Sequence, residues 1–230
     1  MSRVRPTASG LLFLLACTAP ALAQSGPFLQ GTPKTMPCGI GSQVGDYSQI
    51  AASHINNNLP GSNVTFGTDA SNLYYMTGSI KIDGVTYTLN GQVSIFEGLS
   101  PGGVGGLIGG AAANGSALWL SAKAFAESNN AKRTQLFLHE LLHCVLAEDY
   151  TAFNTNCKDC AHKWVMCNAA KGLCEMAGAC PSPSNKADLV ERANKQSDAC
   201  NQQSCGPCSS HPQPPACSCP PTCNPPNCPV

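Results

Sequence analysis

Apolar and polar residues alternate through Val64–Phe66, Ser79–Ile82, Val85–Leu89 and Gln92–Phe96, the period-two pattern of strands with one buried face. Asp83-Gly84 and Asn90-Gly91 separate the last three runs. Both dipeptides accept the positive φ of tight hairpin turns, so a small β-meander is expected. Ahead of it, Ile50, Ala51, Ala52 and Ile55 follow Asp46-Tyr47-Ser48, which reads as a helix capped at Asp46 and stopped by Leu59-Pro60-Gly61. Ala117–Ala122 is short and apolar, a further strand. Leu136, Phe137, Leu141, Cys144 and Val145 then recur at helical spacing within Lys132–Leu146, a stretch without Gly or Pro. Lys186–Gln196 reads as a short polar helix after Pro181-Ser182-Pro183-Ser184. The expected fold class is α+β, a small twisted sheet with helices.

Two segments break this periodicity. Gly98–Gly115 is dense in glycine but lacks the i, i+2, i+5 glycine spacing and following Lys of a phosphate cradle, so a loop or site rim is expected. Five cysteines accumulate from Cys157 to Cys180, and Asn201–Val230 holds six cysteines and nine prolines without one charged residue. That last stretch has too little apolar mass for a core of its own, and reads as a cross-linked or extended tail outside the main core. The expected organisation is a leader over 1–23, a main domain over 24–156, a Cys-rich helical portion over 157–200 and a Cys/Pro-rich tail over 201–230.

The leader is read from Arg3 and Arg5, the apolar run Gly10–Ala16 and the small residues Ala21-Leu22-Ala23, which together resemble a signal peptide cut after Ala23. The apolar run is too short to span a bilayer. A lipoprotein cut before Cys17 is the alternative. Fourteen cysteines beyond it, in an exported chain, read as disulfides, Cys38 among them. A secreted, periplasmic or extracellular location follows as the expectation. With 13 basic and 13 acidic residues, no basic face is expected for nucleic acid or an anionic membrane. Asn63-Val64-Thr65 and Asn114-Gly115-Ser116 are glycosylation acceptors in a host that glycosylates.

Candidate chemistry sits in the helix over Lys132–Leu146, as His139-Glu140-Leu141-Leu142-His143. Residues i and i+4 lie one above the other on a helix, so both imidazoles can reach one metal ion. Glu140 projects beside them, placed to act as a general base on a water. Chance produces this pattern about 0.003 times per chain of this composition under helix spacing alone. Apolar neighbours on every side would make unpaired ionisable groups costly, and a metal gives them a partner.

Through Phe137–Asp149 the sequence resembles the zincin metallopeptidases, and within them the metzincins, whose helix motif runs HExxHxxGxxH or HExxHxxGxxD. Here the run is H-E-L-L-H-C-V-L-A-E-D, with Leu146 in place of the family glycine. The resemblance implies a zincin-like fold, one catalytic zinc held by His139, His143 and Asp149, and Glu140 as the base that activates the zinc-bound water. Glu148, or Glu175 or Glu191 on a later helix, are the alternative third ligands. Met166 or Met176 would supply the family's methionine turn, and Tyr150 or His162 an oxyanion contact. Pro37-Cys38-Gly39 is faintly similar to the cysteine switch of metalloproteinase propeptides.

The function so implied is a secreted zinc-dependent endopeptidase acting on protein or peptide substrates. The alternative is a non-catalytic, disulfide-rich cell-surface protein with a degenerate or structural metal site. His54 and His211 have no companion spacing and read as structural. Cys205-Gly206-Pro207-Cys208 has redox-motif spacing without the surrounding βαβ unit, and Cys157 and Cys160 are read as disulfide partners ahead of structural zinc ligands.

Overall fold

The computed structural model of the chain describes residues 40–70, 74–97, 109–111, 115–120, 124, 128–146, 155–179, 181–208 and 213–228. The expected leader with Cys17, and Cys38, Asn114, Glu148, Asp149, Tyr150 and His211, lie outside the described residues. Among the described residues, four helices pack with one mixed sheet, an α+β arrangement. The helices are α1 (Ile40–Asn58), α2 (Asn130–Leu146), α3 (Thr155–Gly178) and α4 (Pro183–Gln202). The strands are β1 (Asn63–Thr68), β2 (Tyr74–Ile82), β3 (Val85–Thr88), β4 (Val93–Glu97), β5 (Gly109–Ala111) and β6 (Ala117–Leu120).

Alternation places Met76, Ile80 and Ile82 of β2 in the interior with Val64, Val93, Ile95, Leu118 and Leu120, all fully or almost fully buried. Strand order is β1-β2-β4-β6-β5, with β3 also on β2. The β2–β3 turn is as its sequence demands: Asp83 and Gly84 both take positive φ, 52° and 76°. A simple meander does not follow. β4 pairs with Tyr75 and Met76 of β2, while β3 occupies Ser79–Ile82 of the same nine-residue strand. Asn90-Gly91 therefore passes the chain from β3 to β4 along one edge of β2 and forms no hairpin between them. Gly78 marks the changeover, with φ 110° and its carbonyl accepting from Leu89 N–H at 2.9 Å. A Cβ there would lie 1.9 Å from the Asn63 carbonyl oxygen, so only glycine fits.

The glycine-dense run holds a strand that periodicity did not show. Gly109–Ala111 forms β5, antiparallel to β6, because an edge ladder needs only backbone groups. β6 itself runs parallel to β4.

Helix α1 begins at Ile40, so Asp46 lies within it and is not its cap. It ends where expected, with Gly61 at φ 87° in the following turn. Tyr47, Ala51, Ala52, Ile55 and Leu59 form its buried stripe. Tyr47 meets Phe137 of α2 with ring centroids 5.5 Å apart. Asn129 caps α2, its side-chain oxygen accepting from Lys132 N–H at 3.0 Å. Phe137, Leu138, Leu141 and Leu142 of α2 are fully buried, which fixes the rotation of the helix that carries the HExxH run.

Helices α3 and α4 pair antiparallel, and the apolar cluster runs continuously from α1 through the sheet to Leu173, Met176, Leu189 and Ala193. The boundary expected at 156/157 falls in the first turn of α3. Cys157, Cys160, Cys167 and Cys174 recur on α3 at spacings that keep them near one side of the helix. They bond Cys208, Cys205, Cys217 and Cys223 of the tail, and Cys200 of α4 bonds Cys219. The two C-x-x-C runs pair with each other across the gap, and neither closes on itself.

The tail is both extended and cross-linked, but it does not stand apart. Cys223 is buried within the main core cluster, Ser197 donates to the Pro220 carbonyl, and Cys223 N–H donates to Asn194 at 2.7 Å. An even cysteine count would allow every thiol to pair; Cys144 of α2 is free and buried, its Sγ 3.6 Å from the Ala117 carbonyl. Among the described residues no helix is long and apolar enough to cross a membrane.

Candidate metal centre

Helical spacing on α2 puts the His139 and His143 rings 5.0 Å apart between centroids. A third imidazole comes from α3. His162 lies 5.2 Å from the His139 ring and 5.5 Å from the His143 ring. The ligand nitrogens of all three fall within 4.8 Å of one another, and all three residues are partly buried. His139 Nε2 and His162 Nε2 are 3.2 Å apart. Two nitrogens on a tetrahedral zinc, each at ~2.0–2.1 Å, stand about 3.3 Å from one another, so the spacing suits two ligands of one ion.

Charge state suits it as well. Burial pushes His139 down to about 4, with a further lowering from His162 and a smaller opposing effect from Gln196. Burial first, and then His139 and His162, hold His143 well below its ordinary range. Burial also lowers His162, with Lys158 adding to it and Asp159 opposing. All three are therefore neutral at pH 7, the form in which imidazole binds metal.

Glu140 adjoins them on α2 and is 5% exposed. Burial pushes its carboxyl up to about 8. His139 makes one further contact, Nδ1 to Gln196 Oε1 of α4 at 3.2 Å. Ring nitrogens and an amide from three helices thus meet at one point, while the Glu140 carboxyl bears on Cys144, one turn further along α2.

The structure brings His139 and His143 together as their spacing requires, and adds His162; Glu140 is not part of this cluster. Glu175 sits at the far end of α3, accepting from Asp83 N–H at 2.5 Å in the β2–β3 turn. It lies 13 residues beyond His162, about 20 Å along the helix axis. Glu191 is exposed on α4 and pairs with Arg192 and Lys195. Neither faces the imidazoles. Met166 and Met176 are buried inside α3, so neither forms a turn beneath the site. His162, offered in the sequence as an oxyanion contact, stands instead among the candidate ligands. The signal available for it was scarcity: a chain with five histidines places one near the start of the helix that follows the HExxH helix.

His54 has the structural part expected of it. Its Nδ1 meets Thr134 Oγ1 at 2.7 Å and its Nε2 meets Asn185 Nδ2 at 2.7 Å, tying α1 to α2 and α4. Burial lowers its pKa from 6.5. Because the folded value lies below the unfolded one, the unfolded chain binds more protons as pH falls, and stability is complete above about 6.5 and declines below it. Relative to His54→Gln, the wild-type melting temperature is therefore expected to fall as pH drops from 7 to 5. A pH-independent difference between the two proteins contradicts this.

Comparison with protein-family models, with curated proteins and with solved structures returns no match for the chain.

Proposed function

We propose that the chain is a secreted zinc-dependent endopeptidase of zincin-like plan, with one zinc ion held by His139, His143 and His162. The convergence of three neutral imidazoles on one point carries this reading, and the HExxH spacing, which sets Glu140 next to His139 on the same helix, supports it. Three protein ligands leave a fourth tetrahedral position for water or substrate, which separates a catalytic zinc from a closed structural one. When bound, the ion would polarise a peptide carbonyl and acidify water.

Glu140 supplies the proton transfers. Its carboxylate takes a proton from the attacking water and returns it to the leaving amine, while the apolar residues around α2 limit bulk water. A cation close by lowers a carboxyl's pKa, so the high value of Glu140 without metal reflects burial and not its working state. The five disulfides between described residues suit an oxidising compartment and so support secretion.

The test is metal analysis of the purified protein together with digestion of casein and a peptide library, with and without chelator. One zinc per chain and chelator-sensitive cleavage are expected. Zinc without cleavage would favour the structural-metal alternative, and neither zinc nor cleavage would dismiss the centre.

A further inference from the structure

We infer that Gln196 is a positioning residue, whose side-chain oxygen holds His139 in the tautomer that leaves Nε2 free to bind a metal. The inference rests on the proposed metal centre.

Gln196 Oε1 lies 3.2 Å from His139 Nδ1. An amide oxygen only accepts, so the hydrogen of this bond belongs to Nδ1. Neutral imidazole carries a single ring hydrogen, which leaves a lone pair on Nε2, the nitrogen that faces His162 Nε2 at 3.2 Å. The metal-free contacts then form one consistent chain. His162 Nε2–H donates to His139 Nε2, and His139 Nδ1–H donates to Gln196. If the amide were turned, its NH2 would donate to Nδ1, and the ring hydrogen would sit on the nitrogen that has to ligate.

The backbone beneath Gln196 is held on both sides. Asn194 accepts from Cys223 N–H, Ser197 donates to the Pro220 carbonyl, and Cys200 is bonded to Cys219. These three anchors lie within four residues of Gln196, and all lead to the tail. The tail is thus connected through α4 to the orientation of His139. Gln196 was passed over in sequence because an amide on a polar helix carries no ligand signature; only its position against His139 gives it a role.

Oxygen is the atom the site needs, so a carboxylate should serve as well or better and an isosteric apolar group should not. The experiment measures zinc affinity of the full-length protein by competition with a chelator, for wild type, Gln196→Leu and Gln196→Glu. Loss of an outer partner of a zinc-bound histidine costs about 10–100-fold in affinity, which is expected for Gln196→Leu, whereas Gln196→Glu should match or exceed wild type. Equal affinity in all three proteins, or the same loss in both variants, overturns the inference. Long-range 1H–15N NMR of the metal-free protein reads the His139 tautomer without zinc. The Nδ1–H form is expected in wild type and Gln196→Glu, and its depletion in Gln196→Leu. An Nε2–H form in wild type overturns the inference even if no zinc binds, and absence of zinc with the Nδ1–H form overturns the proposed function alone.

Discussion

Glu140→Gln should retain zinc and lose nearly all peptidase activity. The amide keeps the size and shape of the carboxyl but accepts no proton at working pH, so the substitution removes the base while leaving the three imidazoles in place. General-base catalysis contributes about 10²–10⁴-fold, and a fall of at least that order in kcat is expected with little change in KM. Loss of a buried carboxyl that burial holds near 8 should also leave the fold intact or slightly more stable. Steady-state cleavage of a fluorogenic peptide and zinc content of the same preparation provide the check. A Glu140→Gln protein that cleaves at the wild-type rate would remove Glu140 from the mechanism.

His162→Ala should abolish tight zinc binding, as should His139→Ala and His143→Ala, while Asp149→Ala should leave zinc affinity close to wild type. Two imidazoles on one helix supply only two of the three protein ligands of a peptidase-type zinc, and His162 is the side chain that the packing of α3 on α2 brings to the third place. Zinc titration of the four variants separates the two candidates. Retention in His162→Ala with loss in Asp149→Ala would restore the ligand set that the metzincin resemblance implies.

The contrast between these two candidates shows what was legible in the sequence. His139 and His143 lie four residues apart on one helix, so their juxtaposition follows from helical rise and rotation alone. His162 is 19 residues beyond His143 on another helix. Its arrival depends on how α3 packs on α2, a relation set by apolar contacts and by the disulfides of α3, which no local spacing encodes. Much the same holds for the sheet. The Asp83-Gly84 hairpin was readable because the turn residues specify positive φ, whereas β4 joins β2 through a nonlocal pairing, and Asn90-Gly91 looks the same whether its flanking strands pair or diverge. β5 was hidden because glycine carries no side-chain pattern to alternate.

The α3 disulfides also impose an order of events on the maturing molecule. Their partners follow by 51, 45, 50 and 49 residues, so the helix that carries His162 emerges with four unpaired thiols and keeps them until the tail has emerged too. Closing a loop of about 50 residues removes about 4 kcal/mol of unfolded-chain entropy on the chain-entropy account, with overlapping loops giving less than the sum. Before those bonds close, α3 is held by its apolar contacts, through Trp164, Val165, Ala169 and Leu173. The mutual placement of the three imidazoles is therefore coupled to oxidation of cysteines that lie about 50 residues further along the chain.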